Sequence, residues 1–213
     1  FRTSSDKLEV SSNLNPLVES LFSFAENAQR SALYYIYAVS SSTCYLDSFE
    51  GILYGPSDPQ SPPRIPITSD LQVRKKLTTL GEELALLENP NYDLLNPGTI
   101  TSAQPVPPNF RLIKHSYDAR TSSLLLIGDN GSVTIDNVPE YVFGLKISGH
   151  NVVDKWLREK TANYFRKDFE SIELEGLISL LNRVELQFGV LSKIDPIVEE
   201  MILDDNVIIP DPA

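Results

Sequence analysis

The chain is poor in the residues that most often carry chemistry. Its 213 residues include one cysteine, one tryptophan, one methionine and two histidines. A lone Cys44 cannot close an internal disulfide, so a reducing, cytoplasmic setting is expected. Cys44 sits among small and apolar residues and reads as a buried thiol rather than a nucleophile. Two histidines and one cysteine, none at ligand spacing, argue against a metal site. His115 and His150 have no Gly-x-Ser-x-Gly partner, so no Ser–His–acid set assembles. There is no Gly-rich phosphate-binding loop. No apolar run reaches the length of a membrane span. The chain begins Phe1-Arg2-Thr3, without an initiator methionine or a signal peptide, and is expected to be a fragment of a longer polypeptide.

Basic charge is also scarce. Eighteen Lys and Arg stand against 29 Asp and Glu, a net charge of −11. That balance argues against nucleic acid until its distribution is considered. Residues 110–167 hold nine Lys and Arg against six Asp and Glu, while residues 168–213 hold two against eleven. The cationic stretch is therefore local, and the C-terminal part is acidic.

The pattern predicts helices first. Residues 1–14 read as a polar lead-in from a preceding domain, and 15–88 as a helical part. Leu17–Phe24 and Ser31–Val39 have helical spacing. In the second, Leu33, Ile36 and Tyr37 share one face, and Tyr34 and Ala38 another. Thr43–Leu53 reads as a further helix. A Pro-rich loop follows from Gly55 to Pro66. Thr68-Ser69-Asp70 is an N-cap cluster before a helix marked by Leu71, Leu77, Leu80, Leu84 and Leu87.

Residues 89–109 read as loop. A sheet part then spans 110–147, with strands expected at Phe110–Tyr117, Ser122–Ile127, Ser132–Ile135 and Tyr141–Ile147. Gly128-Asp129-Asn130-Gly131 is the hairpin turn. The C-terminal helices cover 151–203: one begins at Asn151, a second runs from Ile172 to Ile194, and Asp195-Pro196 restarts it. Residues 204–213 form an acidic tail. Helices, an antiparallel meander and helices again, with no βαβ rhythm, make an α+β fold.

Candidate binding residues concentrate at the corner between the last strand and the helix after it. His150 can donate to a phosphate or a base edge, and Asn151 can pair with adenine through two hydrogen bonds. Each also has a plain structural reading, as a solvated turn residue and a helix cap. Ser148 and Gly149 form the turn beside them. Lys146, Lys155, Arg158 and Lys160 are candidate phosphate contacts or a solvated face. Arg111, Lys114, His115 and Arg120 lie on or beside the first strand, where Lys114-His115-Ser116-Tyr117 either lines a groove or belongs to an edge strand guarded by charge. Trp156 shares a face with Val152 and Val153 and reads as core. Tyr34, Tyr35 and Tyr37 read as packing rather than a stacking surface.

Four segments in order resemble the C-terminal part of type ISP restriction–modification enzymes. They are Asn13-Leu14-Asn15-Pro16; Leu33 to Val39; Pro63 to Asp70 with Leu80 to Leu84; and Val138-Pro139 leading to Ile147–Val152 and Lys155-Trp156-Leu157. The resemblance runs from about residue 13 to 195. It implies a non-catalytic target recognition domain, spanning 15–203, that reads double-stranded DNA. An adenine-N6 methyltransferase and a translocase-nuclease would lie upstream in the same chain. S-adenosylmethionine, ATP and Mg would serve those domains, with no cofactor in this part. The family's Gly-Gly-Tyr-Gln is replaced by Ser148-Gly149-His150-Asn151, and its basic run after the Trp is weaker here. Either the target sequence differs or DNA binding is lost. The second case makes the chain a protein-interaction or scaffolding domain of the same parent. Asn89-Pro90-Asn91-Tyr92 resembles the adenine methyltransferase Asn-Pro-Pro-Tyr motif. It follows a helix, however, and its third residue is Asn, so it reads as a decoy.

Overall fold

The computed structural model describes residues 15–48, 65–89, 92, 98–102, 104–147, 150–165, 167–203 and 207–208, without the side chains of 147, 207 and 208. The lead-in 1–14, most of the Pro-rich loop and most of the acidic tail lie outside these residues. Seven short strands are defined among them: β1 (Ile67–Thr68), β2 (Leu112–Asp118), β3 (Ser123–Gly128), β4 (Ser132–Ile135), β5 (Lys146–Ile147), β6 (His150–Asn151) and β7 (Val207–Ile208). The chain forms two compact units, 1–86 with 190–213, and 87–189.

The first unit is built from capped helices. Asn15 accepts from the Leu17 N–H (2.9 Å) and Asn27 from the Arg30 N–H (2.9 Å), each satisfying an orphan donor. The helix Ala28–Ser41 buries Ala32, Tyr35, Ala38 and Val39. Leu33 is 62 % exposed, so the buried stripe is rotated from the expected one. Gly81, on the helix Leu71–Glu88, explains how closely the two helices approach. A Cβ there would fall 1.9 Å from the Tyr34 carbonyl oxygen. Asp70 caps that second helix as expected, accepting from the N–H groups of Gln72 (2.7 Å) and Val73 (3.2 Å).

Two long-range polar anchors fasten this unit. Tyr35 is fully buried, and its hydroxyl donates to the Pro66 carbonyl (2.9 Å) while accepting from the Thr68 N–H (3.2 Å). That holds β1 where it pairs antiparallel with β7. Asp195 accepts from the Ser42 hydroxyl (2.8 Å), the Thr43 N–H (2.9 Å) and the Thr43 hydroxyl (2.7 Å), capping the helix Thr43–Ser48. The expected break at Asp195-Pro196 does not occur. One helix runs from Ser171 to Leu203 with Pro196 inside it. Buried Ile194, Val198 and Met201 hold both sides of the proline in one packed stripe.

The second unit carries the meander. β2, β3 and β4 form a three-stranded antiparallel sheet in chain order, with the Gly128–Gly131 turn closed by the Gly128 N–H to Gly131 O bond at 2.9 Å. Leu124 and Leu126 of β3 face Ile135 and Val133 of β4. That face packs on Val153, Leu157, Phe169, Leu177 and Leu181, all buried. The loop beside β4 is also fixed. Asn182 accepts from the Ile100 N–H (3.0 Å) and donates to the Ile100 carbonyl (2.9 Å). Gly98, at φ +86, passes over it where a Cβ would meet Asn182 Oδ1 at 2.1 Å.

Candidate nucleic-acid interface

The corner at 139–152 is wound differently from its apolar alternation. Tyr141–Ile147 is not one strand. Glu140–Phe143 makes a helical turn, and only Lys146–Ile147 is extended. Pro139 sets φ at −65°, and its carbonyl accepts the N–H groups of Val142 (3.0 Å) and Phe143 (3.1 Å). Gly144 ends the turn through its N–H to Glu140 O, 2.7 Å. β5 and β6 then pair antiparallel, Lys146 opposite Asn151 and Ile147 opposite His150.

Asn151 is the hinge pin of this corner. Its Oδ1 accepts from the Asp154 N–H (2.7 Å), the expected N-cap, and its Nδ2 donates to the Phe143 carbonyl (2.7 Å). The Val152 N–H adds a bond to Leu145 O at 3.0 Å. The side chain is thus held at both ends and is not presented for base pairing. The helix Val152–Glu159 buries Val153 and Leu157, while Lys155 and Arg158 are exposed. Trp156 is partly buried against the core, edge-on to Phe169 at 6.5 Å.

His115 joins the strand to this helix. Pairing with Leu126, as Tyr117 pairs with Leu124, puts both on the core face of β2. The imidazole is only 12 % exposed, and its Nε2 lies 3.0 Å from Asp154 Oδ1. The other Asp154 oxygen accepts from Arg158 Nε at 2.9 Å. Tyr117 stacks on Phe143 at 4.4 Å and donates its hydroxyl to Val138 O. Burial pushes the Tyr117 phenol pKa up, with Glu140 adding to the effect. A groove lined by Lys114, His115, Ser116 and Tyr117 together does not form, because alternation sends Lys114 and Ser116 to the other face.

The remaining candidates divide. Arg111 pairs with Asp168 at 3.2 Å. Lys160 sits over the rings of Phe165 (4.2 Å) and Trp156 (5.4 Å), a cation–π arrangement. Lys114, Arg120, Lys146, His150 and Lys155 are exposed, and their side chains have no hydrogen bond or ion pair among the described residues. Ser148 and Gly149 lie outside the described residues. Lys146, His150 and Lys155 therefore belong to one hairpin–helix group, and Arg111, Lys114 and Arg120 to the β2 strand and its turn. The His115–Asp154 pair connects the two.

Asp154 is not among the candidate residues that the sequence singles out. Its place three residues after an Asn cap was the available signal. Elsewhere, Arg183 donates to the carbonyls of Leu87 (3.1 Å), Asn89 (3.0 Å) and Tyr92, so what is described of the Asn89–Tyr92 decoy is a turn held by a helix. Among the described residues no group of three or more His, Cys, Asp or Glu is placed to hold a metal ion. None of the described helices is long and apolar enough to cross a membrane.

These features define a class: an α+β domain whose central antiparallel meander leads into a polar, cation-bearing strand–turn–helix corner. The chain belongs to the Type ISP C-terminal specificity domain family, whose model matches residues 3–174. No curated protein matches it. Three solved structures share the fold. A nuclease-deletion mutant of the Type ISP restriction–modification enzyme LlaGI, in complex with a DNA substrate mimic, is 18 % identical with a TM-score of 0.56; the match covers 77 % of this chain and 13 % of that one. The ATP-dependent Type ISP restriction–modification enzyme LlaBIII, bound to DNA, is 19 % identical with a TM-score of 0.59, over 86 % of this chain and 12 % of that one. The cryoEM structure of a DrdV–DNA complex is 20 % identical with a TM-score of 0.50, over 81 % and 18 %. The chain thus spans less than a fifth of the length of each.

Proposed function

We propose that this chain is the DNA-reading part of a single-chain restriction–modification or related defence protein of the cytoplasm. It would hold double-stranded DNA for an adenine-N6 methyltransferase and a translocase-nuclease in the same polypeptide. S-adenosylmethionine, ATP and Mg would act in those domains, and this part would contribute specificity without catalysis. The observation that carries the reading is membership of a specificity-domain family whose fold recurs in three structures solved with DNA or a DNA mimic. The exposed Lys114, Lys146 and Lys155, without a side-chain partner among the described residues, fit phosphate contact, which positions a protein without reading sequence. His150 is the exposed corner side chain suited to a base edge. Asn151 would act behind it by fixing the corner.

The test is selection from a pool of randomised duplexes by the wild-type chain, followed by the same selection with His150→Ala. A defined motif for the wild type and a changed or relaxed motif for the variant are expected. An unchanged motif would move base reading away from this corner. A wild type that enriches no motif would favour the scaffolding role.

A further inference from the structure

We propose that Tyr164 is a stacking contact that lays its ring against a base of bound DNA at a step the complex unstacks. This deepens the reading above and rests on it. Tyr164 is 75 % exposed and Ile113 is 54 % exposed. Single exposed residues of this kind are ordinary, but these two are held by one scaffold. Tyr164 lies on the turn Ala162–Phe165, which packs against β2, the strand that carries Ile113. The turn is fixed by the Tyr164 and Phe165 N–H groups, which both bond Thr161 O, at 3.0 and 2.9 Å. The segment after it is tied to the start of β2 by the Phe169 N–H to Phe110 O bond (2.7 Å) and by Arg111–Asp168 (3.2 Å).

Packing does not require the Tyr164 ring. Its neighbour Phe165 turns to meet Lys160, and Phe169 fills the core against Phe110 and Trp156. The exposed ring is therefore left pointing at solvent from a rigid turn. Cations stand next to it: Lys160 lies over the ring of Phe165, the following residue, and exposed Lys167 comes three residues on, while Arg111 is already paired with Asp168. An aromatic ring offered among cations matches nucleic acid, where π-faced bases sit between phosphates. Exposed Ile172, by contrast, stands beside Glu170 and Glu173 and is not part of this surface.

The test uses the full 213-residue chain. Wild type, Tyr164→Ala, Tyr164→Phe and Lys155→Ala are titrated by fluorescence anisotropy with a duplex enriched by the wild type. Permanganate reactivity of the thymines in that duplex is read in parallel. Tyr164→Ala is expected to bind about tenfold more weakly, about 1.4 kcal/mol, and to change the thymine pattern. Tyr164→Phe should bind like wild type, since it keeps the ring, and thermal melting of both should match wild type because the side chain is exposed. If Tyr164→Ala binds as tightly as wild type while Lys155→Ala is weakened, stacking is wrong and DNA reading stands. If Tyr164→Phe loses as much as Tyr164→Ala, the hydroxyl and not the ring makes the contact, and stacking is overturned. If the wild type binds no duplex of the pool, both the reading and the stacking fall, and the exposed ring belongs to a protein contact.

Discussion

Asn151 shows how a residue read as a DNA contact can be used up by the fold. Its amide oxygen and nitrogen both bond the backbone, to Asp154 and Phe143. Asn151→Ala should therefore destabilise the chain by about 1 to 2 kcal/mol through the lost cap, seen as a lower urea midpoint. Asn151→Asp keeps the acceptor and should cost less. An alanine variant as stable as wild type would show that the corner holds without the pin. Tyr35 gives a residue-scale prediction with a pH signature. Burial raises its phenol from 10.0 to about 12, although the Thr68 N–H and Arg74 pull the other way. The unfolded chain releases this proton near pH 10 and the folded chain holds it to about 12, so the folded state binds more protons in between. Stability should accordingly fall as pH rises from 10 to 12, by about 2 to 3 kcal/mol. Tyr35→Phe should lack that part of the loss, measured by urea unfolding across the window. At this scale the sequence revealed which residues are polar and where they cluster. It did not reveal which are already bonded. His115 and Asn151 look as available as His150 in a string of letters. Only the strand register and the helix cap separate them.

At the scale of elements, the legible parts were those with strong local signals. The Asp70 cap, the Gly128–Gly131 turn and the three strands around it follow from side-chain chemistry and period-two alternation. Two elements were misjudged because a distant partner decided them. The alternating apolar residues of 141–147 suit either a strand or a turn, and Pro139 with the Phe143–Asn151 bond selects the turn. Pro196 marks a break locally, yet packing on both sides carries the helix through it. The described residues of the 89–109 segment form no helix or named strand, in line with the loop expected there, yet they are not loosely held. Asn182 binds both backbone groups of Ile100, which is 1 % exposed. Asn182→Leu would leave a buried N–H and a buried C=O without partners. It should cost about 2 to 5 kcal/mol, read by chemical denaturation. Gly98→Ala should be damaging too, since its backbone is left-handed and its Cβ would strike the same side chain. If Asn182→Leu unfolds at the wild-type midpoint, the loop is not anchored there.

For the whole molecule, the question is how a chain of net charge −11 can meet DNA. Affinity must come from a local surface rather than from the overall field, because charges beyond a Debye length of about 8 to 10 Å are screened at ordinary salt. Lys114, Arg120, Lys146 and Lys155, whose side chains have no hydrogen bond or ion pair among the described residues, sit in 110–167, where Arg111 is paired with Asp168 and Arg158 with Asp154. If three to five cations meet phosphates, the plot of log affinity against log salt should slope between about −3 and −5. Lys155→Ala should weaken binding to every duplex alike and reduce that slope by about 0.9. His150→Ala should change sequence preference and leave the slope in place, since a base-edge contact releases no phosphate counterion. Fluorescence anisotropy over a salt series separates the two. A wild-type slope near zero would mean that phosphates are not the contact. The acidic remainder of the chain would then be the better guide to its partner, a basic protein surface.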